Sequence, residues 1–166
     1  MKNGRKIVIE TLTELCEKDD KIIFIVGDVG FSFIEGFRNK FPKQFLNCGV
    51  MEQSMMGIAV GLANSGFKPI VYTMRNFIAF RPYEQVRNDI CFGNANVKLL
   101  GVAGSEAYRF LGASHNVFIN KNGEDEDIAM LSELPNIKVY NEDNEDKLKK
   151  DLLFEYERLG PAYFII

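Results

Sequence analysis

A single carboxylate lies inside the apolar segment NCGVMEQSMMGIAVGLANSG, which runs from Asn47 to Gly66. A carboxylate removed from water must find a partner or become protonated, so Glu52 could share a proton with a bound group. On a helix it would share its face with the apolar side chains of Met56, Ala59, Val60 and Ala63. The alternative is a hydrated carboxylate in a first helical turn, where the helix dipole stabilises it.

The same segment carries small side chains beside this carboxylate. Gln53, Gly57 and Gly61 recur at four-residue spacing, so they would form one stripe on a helix. Glycines let another backbone approach closely. The segment therefore predicts an interface next to Glu52.

Few other residues offer acid–base or metal chemistry. His115 is the one histidine of the chain, and its imidazole could transfer a proton near neutral pH or simply fill a surface or core position. The cysteines, Cys16, Cys48 and Cys91, are far apart and form no C-x-x-C pair. They predict reduced thiols, and neither a disulfide framework nor a metal site is expected.

Apolar runs and helical repeats alternate along the chain and must position these groups. Helices are predicted over residues 5–18, 33–40, 51–65, 81–92, 125–134 and 144–159. Strands are predicted over residues 21–28, 44–47, 69–73, 97–103, 137–140 and 162–166. The alternation predicts one α/β domain over residues 1–166, with a doubly wound, mostly parallel sheet flanked by helices. Such sheets bind ligands at the carboxyl ends of their strands.

The sequence contains neither G-x-G-x-x-G after a strand nor G-x-x-x-x-G-K-[ST]. GDVG at residues 27–30 lacks the later glycine that opens a helix, and Asp28 is better explained as the cap of a turn. If this domain handles a phosphorylated cofactor, we expect another chain to hold the phosphates.

The composition excludes several other classes of protein. The chain has 166 residues, is 46% hydrophobic and 26% charged, and carries a net charge of −3. The absence of a basic stripe argues against nucleic-acid binding. The chain has no apolar run of the ~18–20 residues that a membrane span requires, and it begins with a polar segment. We expect a cytoplasmic protein.

Several motifs resemble those of the transketolase family in order and spacing. FPKQFLNCGVMEQ is similar to the family's F-P-x-R-F-x-N-x-G-I-x-E-Q signature, and IFIVGDVG to its strand ending in an Asp-Leu or Asp-Val pair. RPYEQVRNDI, G-A-S-H and EDIAML occur where the family has an R-x-x-E-Q-I-R helix, a T-H or S-H pair and an E-D-I-A helix. Over nearly its whole length the chain resembles the domain that binds the aminopyrimidine ring of thiamine diphosphate.

The resemblance implies a cofactor role for Glu52. In the family this glutamate hydrogen-bonds N1′ of the aminopyrimidine, and the 4′-amino group then removes the proton from C2 of the thiazolium. Phe77 matches the aromatic residue that packs on the ring, with Phe80 nearby, and Met74 stands where the family has its first phenylalanine. Ordinary core packing is the alternative for these aromatic residues.

Further site residues follow from the same resemblance. His115 matches a substrate-facing histidine with a catalytic role, and Arg5 a substrate-binding arginine. Arg81 lies on a helix that approaches the cofactor and the partner subunit in the family, together with Glu84 and Gln85. Surface ion pairs are the alternative for these three side chains.

Other substrate positions depart from the family pattern. The serine, arginine and histidine expected around a terminal phosphate are replaced by Val26, Asn141 and Ser105 or a neighbour. Leu111 stands where the family has an acidic residue. Fewer cationic and donor groups would compensate a phosphate dianion poorly, so we expect a substrate other than a simple sugar phosphate.

The family's diphosphate- and Mg²⁺-binding domain and its C-terminal domain have no counterpart in this sequence. We therefore expect a companion subunit that holds the diphosphate and Mg²⁺, with the cofactor at the shared interface in a dimer of heterodimers. The resemblance implies an enzyme that transfers a ketol group to a sugar or sugar derivative, inactive without its companion. A 2-oxo-acid decarboxylase or carboligase subunit, and a non-catalytic stabilising subunit, are the alternatives.

Overall fold

Strands and helices alternate along the chain. A computed structural model describes residues 3–104 and 106–166, without the side chains of residues 106–108. The strands are β1 Ile22–Val26, β2 Phe45–Asn47, β3 Lys68–Met74, β4 Lys98–Val102, β5 Lys138–Asn141 and β6 Ala162–Ile165. The α-helices are α1 Gly4–Cys16, α2 Glu35–Lys40, α3 Glu52–Asn64, α4 Arg75–Ala79, α5 Tyr83–Gln85, α6 Glu126–Ser132 and α7 Glu145–Glu157. A π-helix, Val86–Phe92, continues α5, and a 3₁₀ segment, Glu106–Ser114, follows β4.

The strands form one sheet in the order β2-β1-β3-β4-β6-β5, with every described pair parallel. Parallel strands covered on both faces need continuous apolar runs, which β1 provides with IIFIV. Successive residues point to opposite faces: Phe24 packs with α1, α2 and α7, whereas Ile25 packs with α3, α4, α6 and the π-helix. The predicted doubly wound α/β fold is confirmed.

The order of the strands places a crevice above the sheet. The chain leaves β1 for the edge strand β2, whereas it leaves β3 for β4 on the other side, so the direction of winding changes between β1 and β3. Ligands bind at such switch points, outside the carboxyl ends of the strands. The loop after β1 lies there, and Asp28 in it adopts a left-handed φ of 53°. Asn47 fixes this loop, since its Oδ1 accepts from the Asp28 backbone N and its Nδ2 donates to Asp28 Oδ1.

Three local features differ from the sequence prediction. Residues 75–79 form α4, which is too short to show a helical repeat. The predicted helix over residues 81–92 is a single α-turn followed by a π-helix, with Pro82 at its start. A Cβ on Gly93 would lie 2.3 Å from the Asp89 carbonyl oxygen, so only glycine fits where the π-helix ends. The 3₁₀ segment occupies a stretch whose sequence predicts a loop.

No helix among the described residues is long and apolar enough to cross a membrane.

Candidate functional site

Glu52 is the first residue of α3 and is almost buried, with 5% of its surface exposed. Met55, Met56 and Ala59 are buried on the same helix, and Val60 and Ala63 pack against them. The apolar face predicted from the sequence therefore exists, and the carboxylate lies at its first turn. Gln53, Gly57 and Gly61 are exposed, and a Cβ on either glycine would meet nothing within 4 Å. The stripe of small side chains is open to solvent, as an interface would require.

Arg81 is the partner of this carboxylate within the chain. Its Nη1 donates to Glu52 Oε1 at 2.7 Å, and the Arg81 side chain keeps 40% of its surface exposed. The Cζ atom of the same guanidinium lies 3.5 Å from the centre of the Phe77 ring, so it stacks on the ring while it pairs with the carboxylate. The sequence alone left Arg81 with either a cofactor contact or a surface ion pair. The structure shows an ion pair, with a buried partner.

The other side of Phe77 leads to His115. The two ring centres are 5.1 Å apart at an interplanar angle of 74°, an edge-to-face contact. His115 Nδ1 lies 2.8 Å from Ser114 Oγ, which donates to the Leu111 carbonyl oxygen. Glu52, Arg81, Phe77 and His115 thus form one continuous set of contacts, here named the Glu52–His115 cluster.

The remaining predicted site residues lie outside this cluster. Arg5 and Met74 line a separate crevice of about 150 Å³ at the switch point, together with Asp28, Gly30 and Tyr72. Met74 is on the α1 face of β3 because it lies two residues after Tyr72. Phe80 ends α4 and is 38% exposed.

The switch-point crevice contains a buried polar atom without a hydrogen bond to any described residue, the Tyr72 hydroxyl. Burial raises the pKa of Tyr72 to about 12, and the Arg5 guanidinium opposes this shift. The Arg5 guanidinium itself stacks on Phe33, with Cζ 4.6 Å from the ring centre. The crevice therefore offers a cation, a carboxylate and a hydroxyl to a bound molecule.

A wider depression of about 480 Å³, open to solvent, exposes the edge of the Glu52–Arg81 pair. Val50 and Met51 on its rim are 63% and 51% exposed. Large apolar side chains left in solvent beside a buried carboxylate mark a surface on which another molecule can bind.

The positions that depart from the family pattern are ordinary in the structure. Val26 is buried at the end of β1, Asn141 is exposed at the end of β5, and Leu111 is half-buried in the 3₁₀ segment. Ser105 lies outside the described residues. Among the described residues, no group of three or more His, Cys, Asp or Glu side chains could hold a metal ion.

Sequence reasoning missed a second set of polar residues around α4. Arg75, Asn76, Asp125, Asp127 and Tyr163 make buried or partly buried hydrogen bonds between α4, the segment that carries His115, and β6. The motif EDIAML contained Asp127 as part of a helix start. Nothing in its spacing indicated an arginine 52 residues away as the partner.

Comparison with known proteins agrees with this geometry. The family model of the transketolase pyrimidine-binding domain matches residues 1–166. One of the two kinds of subunit of apulose-4-phosphate transketolase, from Phocaeicola vulgatus, is 38% identical over 136 residues, 81% of this chain and 41% of that protein. A putative transketolase C-terminal section from Methanocaldococcus jannaschii is 31% identical over 163 residues, 98% of this chain and 49% of that protein. The chain spans about half the length of these curated relatives.

Solved structures show the same fold. A split-gene transketolase, described as an inactive β4 tetramer, superposes with a TM-score of 0.83 at 31% identity, covering 98% of this chain and 50% of that one. A transketolase from Pichia stipitis superposes with a TM-score of 0.76 at 18% identity, covering 98% of this chain and 25% of that one, which supports the fold alone. The chain belongs to the transketolase pyrimidine-binding domain family.

Proposed function

We propose that this chain is the aminopyrimidine-binding subunit of a split, thiamine diphosphate-dependent, transketolase-like enzyme. The reaction makes or breaks a carbon–carbon bond next to a carbonyl by transferring a ketol group to a sugar or sugar derivative. One observation carries the proposal: a buried carboxylate, Glu52, faces a flat cation that stacks on an aromatic ring, Phe77.

The Arg81 guanidinium supports the fit of an aminopyrimidine. A guanidinium is planar and presents N–H donors along its edge. An aminopyrimidine is also planar, with an amino group and ring nitrogens at its edge. A ring in place of the guanidinium would stack on Phe77 and direct a nitrogen to Glu52. Because 40% of the Arg81 side chain is exposed, it can move aside without leaving a buried site.

Each residue of the Glu52–His115 cluster then has a role. Glu52 shares a proton with N1′ of the aminopyrimidine, Phe77 packs on the ring, and Phe80 and Arg81 border it. Bound thiamine diphosphate supplies the carbon nucleophile and the electron sink for the reaction. His115, with Ser114 at its Nδ1, moves a proton to or from the substrate oxygen. Arg5 and Met74 face the substrate in the switch-point crevice.

A companion subunit would hold the diphosphate and Mg²⁺. The chain has no phosphate-cradling loop, and its described residues offer no cluster of metal ligands. The exposed rim of Val50 and Met51 and the open stripe on α3 lie where such a subunit would complete the site. Relatives from two organisms are named as subunits of a transketolase, which supports a partner chain. We propose a dimer of heterodimers in which this chain is a single pyrimidine-binding domain.

The named relatives support a carbohydrate substrate. Their names specify apulose 4-phosphate, 6-deoxy-6-sulfo-D-fructose and 1-deoxy-D-xylulose 5-phosphate. The cysteines support a cytoplasmic location, since all three are unpaired and burial raises the pKa of both Cys16 and Cys91 to about 12.

The test is turnover by the complex of this chain with its companion, isolated by affinity purification of the tagged chain from its source. Ketose and 2-oxo-acid donors are screened with aldehyde and sugar acceptors. Glu52→Gln should lower turnover of the active pair by ~10²–10⁴-fold because the proton shared with the ring is lost. Glu157→Gln, on the exposed end of α7, is the matched control. Equal activity of both variants would leave a stabilising subunit as the correct description.

A further inference from the structure

Three consecutive residues of α4 hold three different points of one loop. Residues 112–125, here named the His115 loop, run from the kink at Gly112 to the residue before α6. Arg75, Asn76 and Phe77 contact the far end of this loop, its turn and its histidine, respectively. A helix of only five residues thereby fixes a segment much longer than itself.

Arg75 holds the far end of the loop. Its Nε donates to Asp127 Oδ2 at 2.8 Å, and its Nη2 donates to Asp127 Oδ1 and Asp125 Oδ2 at 2.6 Å each. Asp127 is fully buried, and the Tyr163 hydroxyl on β6 donates to its Oδ2 at 2.6 Å. The forked guanidinium contacts both carboxylate oxygens and so fixes direction as well as distance.

Asn76 holds the turn around His115. Its Nδ2 donates to the carbonyl oxygens of Ala113 and Asn116 at 3.1 and 2.8 Å, which are the residues two before and one after the histidine. Asn76 is 4% exposed, so neither carbonyl receives an equivalent bond from water if the amide is removed. The two bonds set the path of the backbone on both sides of His115.

The loop also lies tightly against the end of β4. A Cβ on Gly104 would lie 2.9 Å from Asn116 Oδ1 and 3.1 Å from the His115 carbonyl oxygen. The His115 ring is therefore held between the end of β4, which limits its backbone, and Phe77, which contacts its edge or face. Reacting groups must be held within fractions of an ångström, and long loops do not achieve this unaided.

We propose that Arg75 and Asn76 are positioning residues that set the orientation of the His115 imidazole against Phe77. Neither side chain touches the Glu52–Arg81 pair in the described contacts, so both act through His115. Their importance for turnover rests on the proposed function, in which His115 handles a substrate proton. The positioning itself is a property of this chain alone.

The single histidine makes the positioning directly measurable. In a ¹H–¹³C NMR spectrum of the full chain, the imidazole signals come from His115 only. Phe77 should impose a ring-current shift on them and give cross-relaxation to them, both absent in Phe77→Leu. Asn76→Ala should move these signals most of the way to their Phe77→Leu positions and remove the cross-relaxation. Asn64→Ala, at the exposed end of α3, should leave them unchanged.

Arg75 is tested with both partners replaced. Arg75→Met combined with Asp127→Leu removes the buried charges together, which avoids an unpaired ion and keeps the chain folded. Its His115 signals should move toward those of Asn76→Ala. Folded Asn76→Ala and Arg75→Met/Asp127→Leu variants with wild-type His115 signals and cross-relaxation would overturn the proposal.

The activity of the complex separates this inference from the proposed function. Asn76→Ala should lower kcat by about 10-fold while the affinity for thiamine diphosphate stays at the wild-type value, because the cofactor contacts are untouched. Moved His115 signals with an unchanged kcat would support the positioning and contradict the role proposed for His115 in turnover.

Discussion

Two arginines at the two ends of one short segment form very different ion pairs. Arg75 precedes Phe77 and is 11% exposed, and it forks onto Asp127, which is fully buried and also bonded by Tyr163. Arg81 follows Phe77 and is 40% exposed, and it reaches Glu52 with one hydrogen bond. Both carboxylates are buried, so the pairs differ mainly in the freedom of the cation.

That difference separates a structural pair from an exchangeable one. If Arg75 moved, it would leave Asp127 buried and unpaired, and breaking such a pair costs roughly 3–5 kcal/mol. Arg81 can move into solvent, and the positive end of the α3 dipole still faces Glu52. A ligand that offers Glu52 a donor and offers Phe77 a flat surface can therefore replace Arg81. No comparable exchange is open to Arg75.

The largest stability effect should come from breaking the closed pair. Asp127→Ala should lower the free energy of unfolding by about 3–5 kcal/mol, because Arg75 is left as an uncompensated buried charge. Urea unfolding followed by circular dichroism measures the loss. Glu133→Ala, just after α6 and exposed, is the control and should change stability by less than about 0.5 kcal/mol. Equal losses in the two variants would mean that the closed pair does not stabilise the fold.

An intermediate effect is expected for a buried pair whose cation can lose its charge. Lys98 Nζ lies 3.3 Å from Glu155 Oε2, and burial lowers the pKa of Lys98 from 10.5 to about 8. Between these two pH values the unfolded chain binds more protons than the folded one, so this group adds stability as the pH rises. Relative to Lys98→Met, the wild type should gain on the order of 2 kcal/mol from pH 7.5 to pH 10. Urea unfolding at both pH values measures the gain, and a constant difference would contradict it.

The smallest stability effect should come from opening the exchangeable pair. Arg81→Met should lower the free energy of unfolding by about 1 kcal/mol or less, since the arginine is half in solvent and the helix dipole still faces Glu52. The same urea experiment applies, with Arg87→Met on the exposed side of the π-helix as the control. A loss as large as that of Asp127→Ala would remove the distinction between the two arginines.

The sequence predicted the carboxylate half of this comparison but not the arginine half. Apolar runs such as IIFIV indicate buried parallel strands, and the residues around Glu52 place it on the buried face of a helix, as observed. Arg81 lies 29 residues from Glu52, and Arg75 lies 52 residues from Asp127. Such pairs depend on the packing of α4 against α3 and α6, which no local pattern encodes.

Short or irregular elements were also beyond the sequence. The five residues of α4 cannot show a helical repeat, and the π-helix has the composition of an ordinary helix. The strand alternation that moves Met74 to the face of Arg5, away from Phe77, depends on where β3 ends. The residues in the site were therefore predictable from motifs, whereas their grouping into a cluster and a separate crevice required the structure.

The most direct test of the exchangeable pair is a calorimetric titration of thiamine diphosphate with Mg²⁺ into the complex of this chain and its companion. The account predicts binding by the wild-type complex, none by this chain alone, and an affinity about 10-fold lower or worse for the Glu52→Ala complex, because the ring loses its charged hydrogen-bond partner. Glu157→Ala should bind as the wild type does. Unchanged affinity of the Glu52→Ala complex, or full affinity of this chain alone, would contradict the central claim.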